Sequence, residues 1–532
     1  MEPVIESQST SYDEIPYPAA AYRQSHIARL ETLAKLFGMA PVDIRHSRVL
    51  ELGCADGANL IPMACALPES TFLGVDVSTR QIKAGQEIIA ALGLTNIELL
   101  QCDIRHIGQS FGVFDYVIAH GVYSWVPPEV QDKILSICSE YLRDHGVAYV
   151  SYNTFPGWRM RGMLRDMMVY HARKFDDPKE QIEQARALIQ WLGESVRSEN
   201  NPYGTLLKSE LEQMQRWEDT YFRHDSLAEI NEPVYFHEFV EQAEAHSLQY
   251  LAEAEFPSML ASNHAAPVAE ALNRLGRDII ETEQYMDFVR NRMFRQTLLC
   301  HREVKLNRAL GPWTLTDFRI GGSLRRLDPD PNRGSDEVET FTGANDLRIS
   351  SSEPIVKAAL LTLGEVWPAT IPFRELLERA GRRQESERTG KEWKTQAIEA
   401  GGNVLGTALL VCCATGLCEL QVQQDQFVTS VGVKPCACPL VKLQAVSGNG
   451  VTNRRHEGLQ LGKFERHLIS LLDGKHDREE LIEELAVLAA NKTLNVSIDE
   501  RIVTDSAEIR KIMAIALEDA LHRLARAAVL IG

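Results

Sequence analysis

The chain has 532 residues, of which 44% are hydrophobic and 24% charged, and its formal net charge is -18 at pH 7. At the usual size of ~150 residues per domain, this length indicates three or four domains. The negative charge argues against non-specific nucleic-acid binding, and it either attracts a basic, lysine-bearing protein or simply keeps the surface soluble. Without a signal-peptide pattern or an apolar run of ~18 residues, we expect a soluble, cytoplasmic protein with no membrane insertion.

Residues 1–45 are predicted to form an arm ahead of the first strand. The segment 11–22 (SYDEIPYPAAAY) holds three tyrosines and two prolines and is typical of irregular structure. A helix follows it, with apolar residues on one face at Ile27, Leu30, Leu33, Ala34 and Phe37. The tyrosine-rich arm either covers a ligand pocket as a lid or packs against the next domain.

The motif RVLELGCADG at 48–57 predicts the start of an α/β fold. Val49, Leu50 and Leu52 form the short apolar run of a buried parallel strand, which breaks into glycines and is followed by helical spacing up to Pro68. A dinucleotide loop needs G-x-G-x-x-G, but Ala55 occupies the position of its second glycine. The spacing therefore argues against NAD.

Acidic residues close three successive predicted strands at Glu51, Asp76 and Asp103. An acid at a strand end suits an ammonium group or ribose hydroxyls better than phosphates. The pattern resembles that of class I S-adenosylmethionine-dependent methyltransferases, and the resemblance implies that these strand ends hold the methionine moiety, ribose and adenine. The predicted cofactor-binding residues are Glu51, Leu52, Gly53, Cys54, Asp56, Gly57, Asp76, Val77, Gln81, Cys102, Asp103, Ile104, His120 and Gly121.

Strand-like runs continue at 114–120, 146–152, 248–252 and 294–301, alternating with helical patterns. Helix-rich stretches at about 160–230 and 257–292 interrupt them after the fifth and sixth strands. We therefore predict an α/β, Rossmann-like, seven-stranded methyltransferase sheet over 46–303 with two helical insertions.

The loops after the fourth and fifth strands are predicted to carry the acceptor chemistry, because ligands bind at the carboxyl ends of such strands. Tyr123, Trp125, Tyr152 and Trp158 can form an aromatic channel whose ring faces attract an alkyl-ammonium. The N/D-P-P-Y/F signature of many adenine and glutamine-amide methyltransferases is absent from the first of these loops. A lysine must lose a proton, which His120 or a tyrosine hydroxyl could pass to water; His120 is otherwise a structural residue. The predicted catalytic residues are His120, Tyr123, Trp125 and Tyr152.

Residues 304–350 are predicted to be a linker, with a turn-rich centre at 328–336, and residues 351–532 to form a winged-helix-like α+β domain. This domain begins with helices at 353–363, 372–380 and 403–415, followed by a strand pair at 418–422 and 427–431. Its only basic cluster is Arg379, Arg382 and Arg383, which favours protein contact or dimerisation over DNA binding. No metal is predicted, although a zinc site at Cys412, Cys413, Cys418, Cys436 and Cys438 stays an alternative.

Five motifs together narrow the resemblance: SYDEIPY, ELGCADGANLIPMA, AHGVYSWVP, SYNTFPGW and FRQTLLCH. They resemble bacterial methyltransferases that carry a regulatory domain, whose relatives include the rickettsial lysine methyltransferases of an outer-membrane surface protein. The resemblance spans most of 10–303. It implies S-adenosylmethionine as cofactor with S-adenosylhomocysteine as product, a protein lysine acceptor, and a homodimer. It also adds Asn153 to the predicted catalytic residues. A small-molecule methyltransferase, or a cofactor-sensing scaffold acting through the C-terminal domain, stays the alternative.

Overall fold

The computed structural model describes residues 19–328, 337–387, 395–498 and 501–532. Most of the predicted lid segment, at 11–18, and most of the turn-rich centre of the predicted linker, at 329–336, lie outside the described residues.

A seven-stranded sheet in the order β3-β2-β1-β4-β5-β7-β6 forms the centre of the fold. Its strands are β1 (Arg48–Leu52), β2 (Thr71–Asp76), β3 (Ile97–Gln101), β4 (Phe114–Ala119), β5 (Leu142–Asn153), β6 (Leu248–Glu253) and β7 (Phe294–His301). The first five strands are parallel, whereas β7 runs antiparallel to both β5 and β6. The predicted Rossmann-like α/β sheet is confirmed, with one antiparallel strand that the alternation of strands and helices did not indicate.

Helices cover both faces of this sheet, which explains why its inner strands read as continuous apolar runs. They are α1 (Ile27–Leu36), α2 (Leu60–Ala66), α3 (Thr79–Leu92) and α4 (Pro128–Glu140). Val49, Leu50 and Leu52 of β1 are all fully buried. This burial fixes the carboxyl end of β1, from which the glycine loop departs.

The sheet is interrupted by helices at the two predicted places. After β5 come α5 (Gly157–Ala172), α6 (Pro178–Ser195), α7 (Pro202–Met214) and α8 (Asp219–Ser226). These four share a small apolar core of their own, including Leu164, Ile189 and Phe222. The chain then forms α9 (Phe236–Ala245), returns through β6, and adds α10 (Ala266–Leu275) and α11 (Ile279–Arg290) before β7.

A buried ionic cluster joins β6 and β7 to α11. The guanidinium of Arg295 is fully buried and contacts Glu253 at 2.8 Å, Glu283 at 3.0 Å and Asp287 at 2.8 Å. Arg292 adds a second cation at 2.9 Å from Glu253. Charges this deeply buried are tolerated only when they are paired, so the cluster fixes how the second insertion packs on the sheet.

The predicted linker over 304–350 is wrong, because this stretch contributes strands to a packed unit. They are β8 (Arg319–Gly321), β9 (Arg325–Arg326), β10 (Glu339–Thr342) and β11 (Arg348–Ser351). Leu315, Ile320 and Phe341 are fully buried in a core shared with the helices that follow. These strands are too short to give a clear pattern, and the turn-forming residues around 328–336 favoured a linker instead.

The three helices predicted after 351 are present as α12 (Pro354–Val366), α13 (Phe373–Glu387) and α14 (Thr395–Thr415). The strand pair predicted next is wrong. Its first run is β13 (Glu419–Gln421), which pairs with β8, as does β12 (Ile371–Pro372), while 427–431 forms no strand. A distant strand satisfies the hydrogen bonds of β13, and local spacing cannot reveal such a partner.

The final residues form an α+β unit whose core is continuous with that of the domain built on the seven-stranded sheet. Its elements are α15 (Pro439–Ser447), β14 (Gly450–Thr452), β15 (Gly458–Gln460), α16 (Lys463–Leu471), α17 (Arg478–Ala490), β16 (Ser497–Ile498), β17 (Arg501–Ile502) and α18 (Ser506–Arg526). Asp477 and Glu480 form a reciprocal capping box at the start of α17, at 3.0 and 2.8 Å. In the described part of the chain, no helix is long and apolar enough to span a bilayer.

The cysteines suspected of binding zinc are divided between two cores. Cys412, Cys413 and Cys418 pack with α12–α14, whereas Cys438 packs with the final helices. Within the four described ranges, no group of three or more His, Cys, Asp or Glu residues is arranged to hold a metal ion.

Candidate active site

A cavity of about 810 Å³ opens at the carboxyl ends of the parallel strands. Its wall comes from the segments that follow β1 to β5, from the start of β7, from α8, and from the N-terminal residues Ala19, Ala20 and Tyr22. This is where parallel α/β sheets bind their ligands.

The glycine loop after β1 forms one side of the cavity, and its backbone is tied to β2. The amides of Gly53 and Cys54 both donate to the carbonyl of Val75, at 2.8 and 3.0 Å. Gly53 has φ +70°, and a Cβ there would lie 2.4 Å from Val122 Cγ2. Only glycine fits at this position, because the loop after β4 passes directly over it.

Glu51 lies in the cavity wall with one carboxylate oxygen satisfied and the other not. Asn59 Nδ2 donates to Glu51 Oε1 at 2.7 Å, while no described residue donates to the buried Oε2. Burial raises the pKa of Glu51 to about 8, and nearby Asp76 adds to the effect. A buried carboxyl group with an unpaired oxygen fits a ligand that brings a cation, such as an amino-acid ammonium, because the cation stabilises the ionised form of the group.

Asp76 and Asp103 line the same cavity, as the three strand-ending acids were predicted to do. Asp76 accepts backbone hydrogen bonds from Ala55 and Ser78, both at 2.9 Å, which fixes its carboxylate beside the glycine loop. Hydrogen bonds from Arg105 hold the pKa of Asp103 below its usual range. The polar groups of the cavity thus fit an amino acid joined to a nucleoside.

The other predicted cofactor residues divide into two groups. Val77, Gln81, Cys102, Ile104 and Gly121 line the cavity with Gly53 and Cys54, whereas Leu52, Asp56 and Gly57 do not. Leu52 is fully buried in the core of the sheet. Asp56 instead accepts a hydrogen bond from the Ala58 amide at 3.1 Å and so stabilises the turn. Leu52, Asp56 and Gly57 therefore support the glycine loop without lining the cavity.

His120, at the end of β4, lies between two tyrosines. Its ring stacks on Tyr22 with centroids 3.7 Å apart, and its Nδ1 is 2.8 Å from the hydroxyl of Tyr149. Burial lowers the pKa of His120 to about 3. A ring that binds protons so weakly is neutral, which favours a positioning role over proton transfer.

Two of the four aromatic residues predicted to form the acceptor channel are in the cavity wall. Trp125 and Trp158 meet edge to face, with centroids 6.1 Å apart and an interplanar angle of 82°. Asn153 lines the cavity beside them and donates to Asn231 at 2.9 Å.

For Tyr123 and Tyr152 the predicted channel position is wrong. Both are fully buried, and their hydroxyls bond Gln242 and Thr297 at 2.5 and 3.0 Å. Their rings pack on Phe239 of α9. The side chains of β5 alternate between the two faces of the sheet, and Tyr152 points to the face that α9 covers.

No local sequence pattern indicated the part of the cavity wall that the first insertion builds. Tyr221, His224 and Asp225 of α8 line the cavity, with Tyr221 and Asp225 hydrogen-bonded one helical turn apart. Burial raises the pKa of Asp225 to about 6. Arg161 also lines the cavity, but it lies 3.5 Å from Glu210 and stacks between Trp158 and Trp217.

Comparisons with known proteins agree with this geometry. Residues 49–146 match the family described as "Methyltransferase domain", 218–301 match "Predicted methyltransferase regulatory domain", and 434–529 match "PKMT, C-terminal winged helix domain". The last match assigns the winged helix to the final α+β unit rather than to the whole of 351–532.

Among relatives, the uncharacterized protein RP789 of Rickettsia prowazekii is 36% identical over 94% of this chain and 90% of its own length. RP028 of the same organism is 37% identical over 45% of this chain and 96% of its own. The structure of PKMT2 from Rickettsia typhi in complex with AdoHcy superposes with a TM-score of 0.87 at 30% identity, covering 97% of this chain and all of that one. The chain belongs to the class I S-adenosylmethionine-dependent methyltransferases, in the family that includes PKMT2 of Rickettsia typhi.

Proposed function

We propose that this protein transfers methyl groups from S-adenosylmethionine to lysine ε-amino groups of a protein substrate. One observation carries the proposal: a single cavity contains a buried oxygen of Glu51 to which no residue in the described part of the chain donates, together with two tryptophan rings and a half-buried carboxyl group, Asp225. The first feature suits the cofactor, and the others suit an amine acceptor.

The cofactor-side roles follow the order of the strands. Glu51 would bind the ammonium of the methionine moiety, Asp76 the ribose hydroxyls, and Asp103 with the apolar side of Ile104 the adenine. When bound, S-adenosylmethionine supplies a methyl group on a positively charged sulfur, and S-adenosylhomocysteine is left behind. His120, neutral and stacked on Tyr22, would keep this side of the cavity closed to water.

On the acceptor side, the ring faces of Trp125 and Trp158 attract an alkyl-ammonium, and removal from water lowers its pKa from ~10.4. Asp225 would receive the proton that the ammonium must lose. The lone pair of the amine then forms the N–C bond as the C–S bond breaks. Arg161 also lines the cavity, but its positive charge is compensated by Glu210, so it repels the ammonium of the acceptor only weakly.

Family membership supports the methyltransferase activity, while the motif resemblance to rickettsial lysine methyltransferases supports the acceptor. A small-molecule methyltransferase is the second candidate, because a cavity of about 810 Å³ also accommodates a metabolite. Dimerisation, a cytoplasmic location and a lack of nucleic-acid binding stay predictions from the sequence.

The test is transfer of labelled methyl from S-adenosylmethionine to a panel of lysine-containing bacterial surface proteins, followed by mass spectrometry of the modified residues. Label on lysine ε-nitrogens is the expected result, and Asp225→Asn should reduce it. Label confined to metabolites would replace the proposal with the second candidate. No transfer despite cofactor binding would favour a cofactor-sensing scaffold.

A further inference from the structure

A buried side chain of the C-terminal unit reaches a residue in the wall of the cofactor cavity. His456, on the turn between β14 and β15, places its Nε2 2.8 Å from the side-chain oxygen of Asn59, a residue 397 positions earlier. Asn59 in turn donates to Glu51 at 2.7 Å. All three side chains are less than 5% exposed.

We infer that His456 is a positioning residue of the cofactor site: through Asn59 it holds the Glu51 carboxylate in the geometry that binds the ammonium of the cofactor. The inference rests on the proposed function for the place of the cofactor. It adds that the site is completed by the C-terminal winged-helix unit, and not by the methyltransferase domain alone.

The hydrogen bonds around Asn59 fix which way its amide faces. Its Oδ1 accepts from the backbone amide of Tyr22 at 3.0 Å, so this atom must be the oxygen. Its Nδ2 therefore faces Glu51 Oε1, and it also donates to Ser25 at 3.0 Å. Because the oxygen only accepts, His456 must carry its proton on Nε2 and donate.

The ring of His456 is suited to this neutral, donating role. Burial, with a smaller contribution from His26, lowers the pKa of His456 well below its usual value. The two rings meet edge to face with centroids 4.8 Å apart. A neutral donor orients the amide without bringing a positive charge near the ammonium site.

The turn that presents His456 is held in a conformation that its sequence alone does not favour. His456 has φ +63°, in the left-handed region, and its amide donates to the Asn453 carbonyl at 3.1 Å. The side chain of Asn453 accepts from the amides of Arg455 and Glu457, both at 2.9 Å. Strained backbone held by several bonds is typical of residues whose position serves function.

The experiment measures binding of S-adenosylhomocysteine to the full-length protein by calorimetry. His456→Ala removes one buried donor and should weaken binding on the order of ten-fold. His456→Gln retains a donor of similar reach and should restore affinity to within about three-fold. Arg454→Ala is the matched control, because that side chain lies on the same turn but bonds Gln426. Circular dichroism establishes that each variant is folded.

Combining His456→Ala with Glu51→Gln separates a positioning role from general destabilisation. If His456 acts through Glu51, the double variant binds no more weakly than Glu51→Gln alone. Equal affinity of His456→Ala and the wild type, no restoration by His456→Gln, or additive losses in the double variant would each overturn the inference. Absence of methyl transfer to lysine, with these affinities as expected, would overturn only the proposed acceptor.

Discussion

The guanidinium of Arg105 forms an ion pair with the carboxylate of Asp103, two positions earlier in the chain. Its Nε lies 3.1 Å from both carboxylate oxygens and its Nη2 lies 2.6 Å from Oδ2. The sequence DIRH that forms this pair at 103–106 also occurs at 43–46. There Asp43 and Arg45 repeat the geometry, at 3.0 and 2.5 Å, with each aspartate starting a short 3-10 turn. Only the copy after β3 lines the cavity.

This repetition provides a matched test of the adenine-binding role. We expect Asp103→Ala to weaken S-adenosylhomocysteine binding about ten-fold, since one polar contact to the ligand is lost. Asp43→Ala breaks the same local pair away from the cavity and should leave affinity within two-fold. Calorimetric titration of both variants decides the matter; equal losses would mean that Asp103 acts only by shaping its turn.

The raised pKa of Glu51 leads us to expect that cofactor binding releases a proton. A pKa of about 8 leaves Glu51 protonated in the free protein at neutral pH, whereas an ammonium partner favours the ionised carboxylate. Affinity should therefore rise from about pH 6 to about pH 7.5, below the ~7.7–8.0 at which the ligand's own amine loses its proton.

Calorimetry in two buffers of different ionisation heat measures this release directly. At about pH 6.5 the wild type should release close to one proton per cofactor bound. Glu51→Gln has no proton to give, so it should release none and bind more weakly. Release of a full proton by the variant would assign the titration to another group.

How much of this site could be predicted depended on where each residue lies along the chain. Glu51, Asp76 and Asp103 each end a parallel strand, and a parallel sheet brings those ends to one edge whatever the rest of the chain does. The residues that local pattern missed, Asp225 and His456, come from an insertion and from the C-terminal unit. Their places depend on how helices pack over long separations, which periodicity does not encode.

The direction in which a side chain points was harder to predict than which chain segments lie near the cavity. Tyr152 and Asn153 are adjacent at the end of β5, yet Asn153 lines the cavity while Tyr152 packs under α9. The alternation of a strand separates them, and a single misassigned register exchanges the two roles. The predicted linker failed for a related reason, because strands of two to four residues carry too little pattern to recognise.

Asp225 should give the reaction an acidic limb in its pH profile. Burial raises the pKa of Asp225 to about 6, so the group is ionised above that pH and protonated below it. With S-adenosylmethionine at saturating concentration, so that the titration of Glu51 does not limit the rate, we expect kcat/KM for a lysine acceptor to fall as pH drops through about 6, and Asp225→Asn to lower it roughly 100-fold and remove the limb.

Two readouts distinguish this role from a structural one. Affinity for S-adenosylhomocysteine should stay within two-fold in Asp225→Asn, because the proposed role places this carboxyl group on the acceptor side. Asp219→Asn, on the same helix but exposed and paired with Arg186 at 3.0 Å, is the control and should keep wild-type kinetics. A limb that survives in Asp225→Asn would contradict the assignment.

The buried cation Arg295 should be among the most important single side chains for stability. Arg295→Met leaves Glu253, Glu283 and Asp287 buried close to one another, and removing one partner of a buried ion pair costs about 3–5 kcal/mol of unfolding free energy. Arg277→Met, which breaks an exposed pair with Glu281, should cost less than about 1 kcal/mol. Urea unfolding followed by circular dichroism measures both. The loss of unfolding free energy in Arg295→Met should be smaller in acid, because Glu253, Glu283 and Asp287 no longer repel one another once they are protonated. Comparable losses in Arg295→Met and Arg277→Met would instead show that Arg292 alone compensates the charge of the cluster.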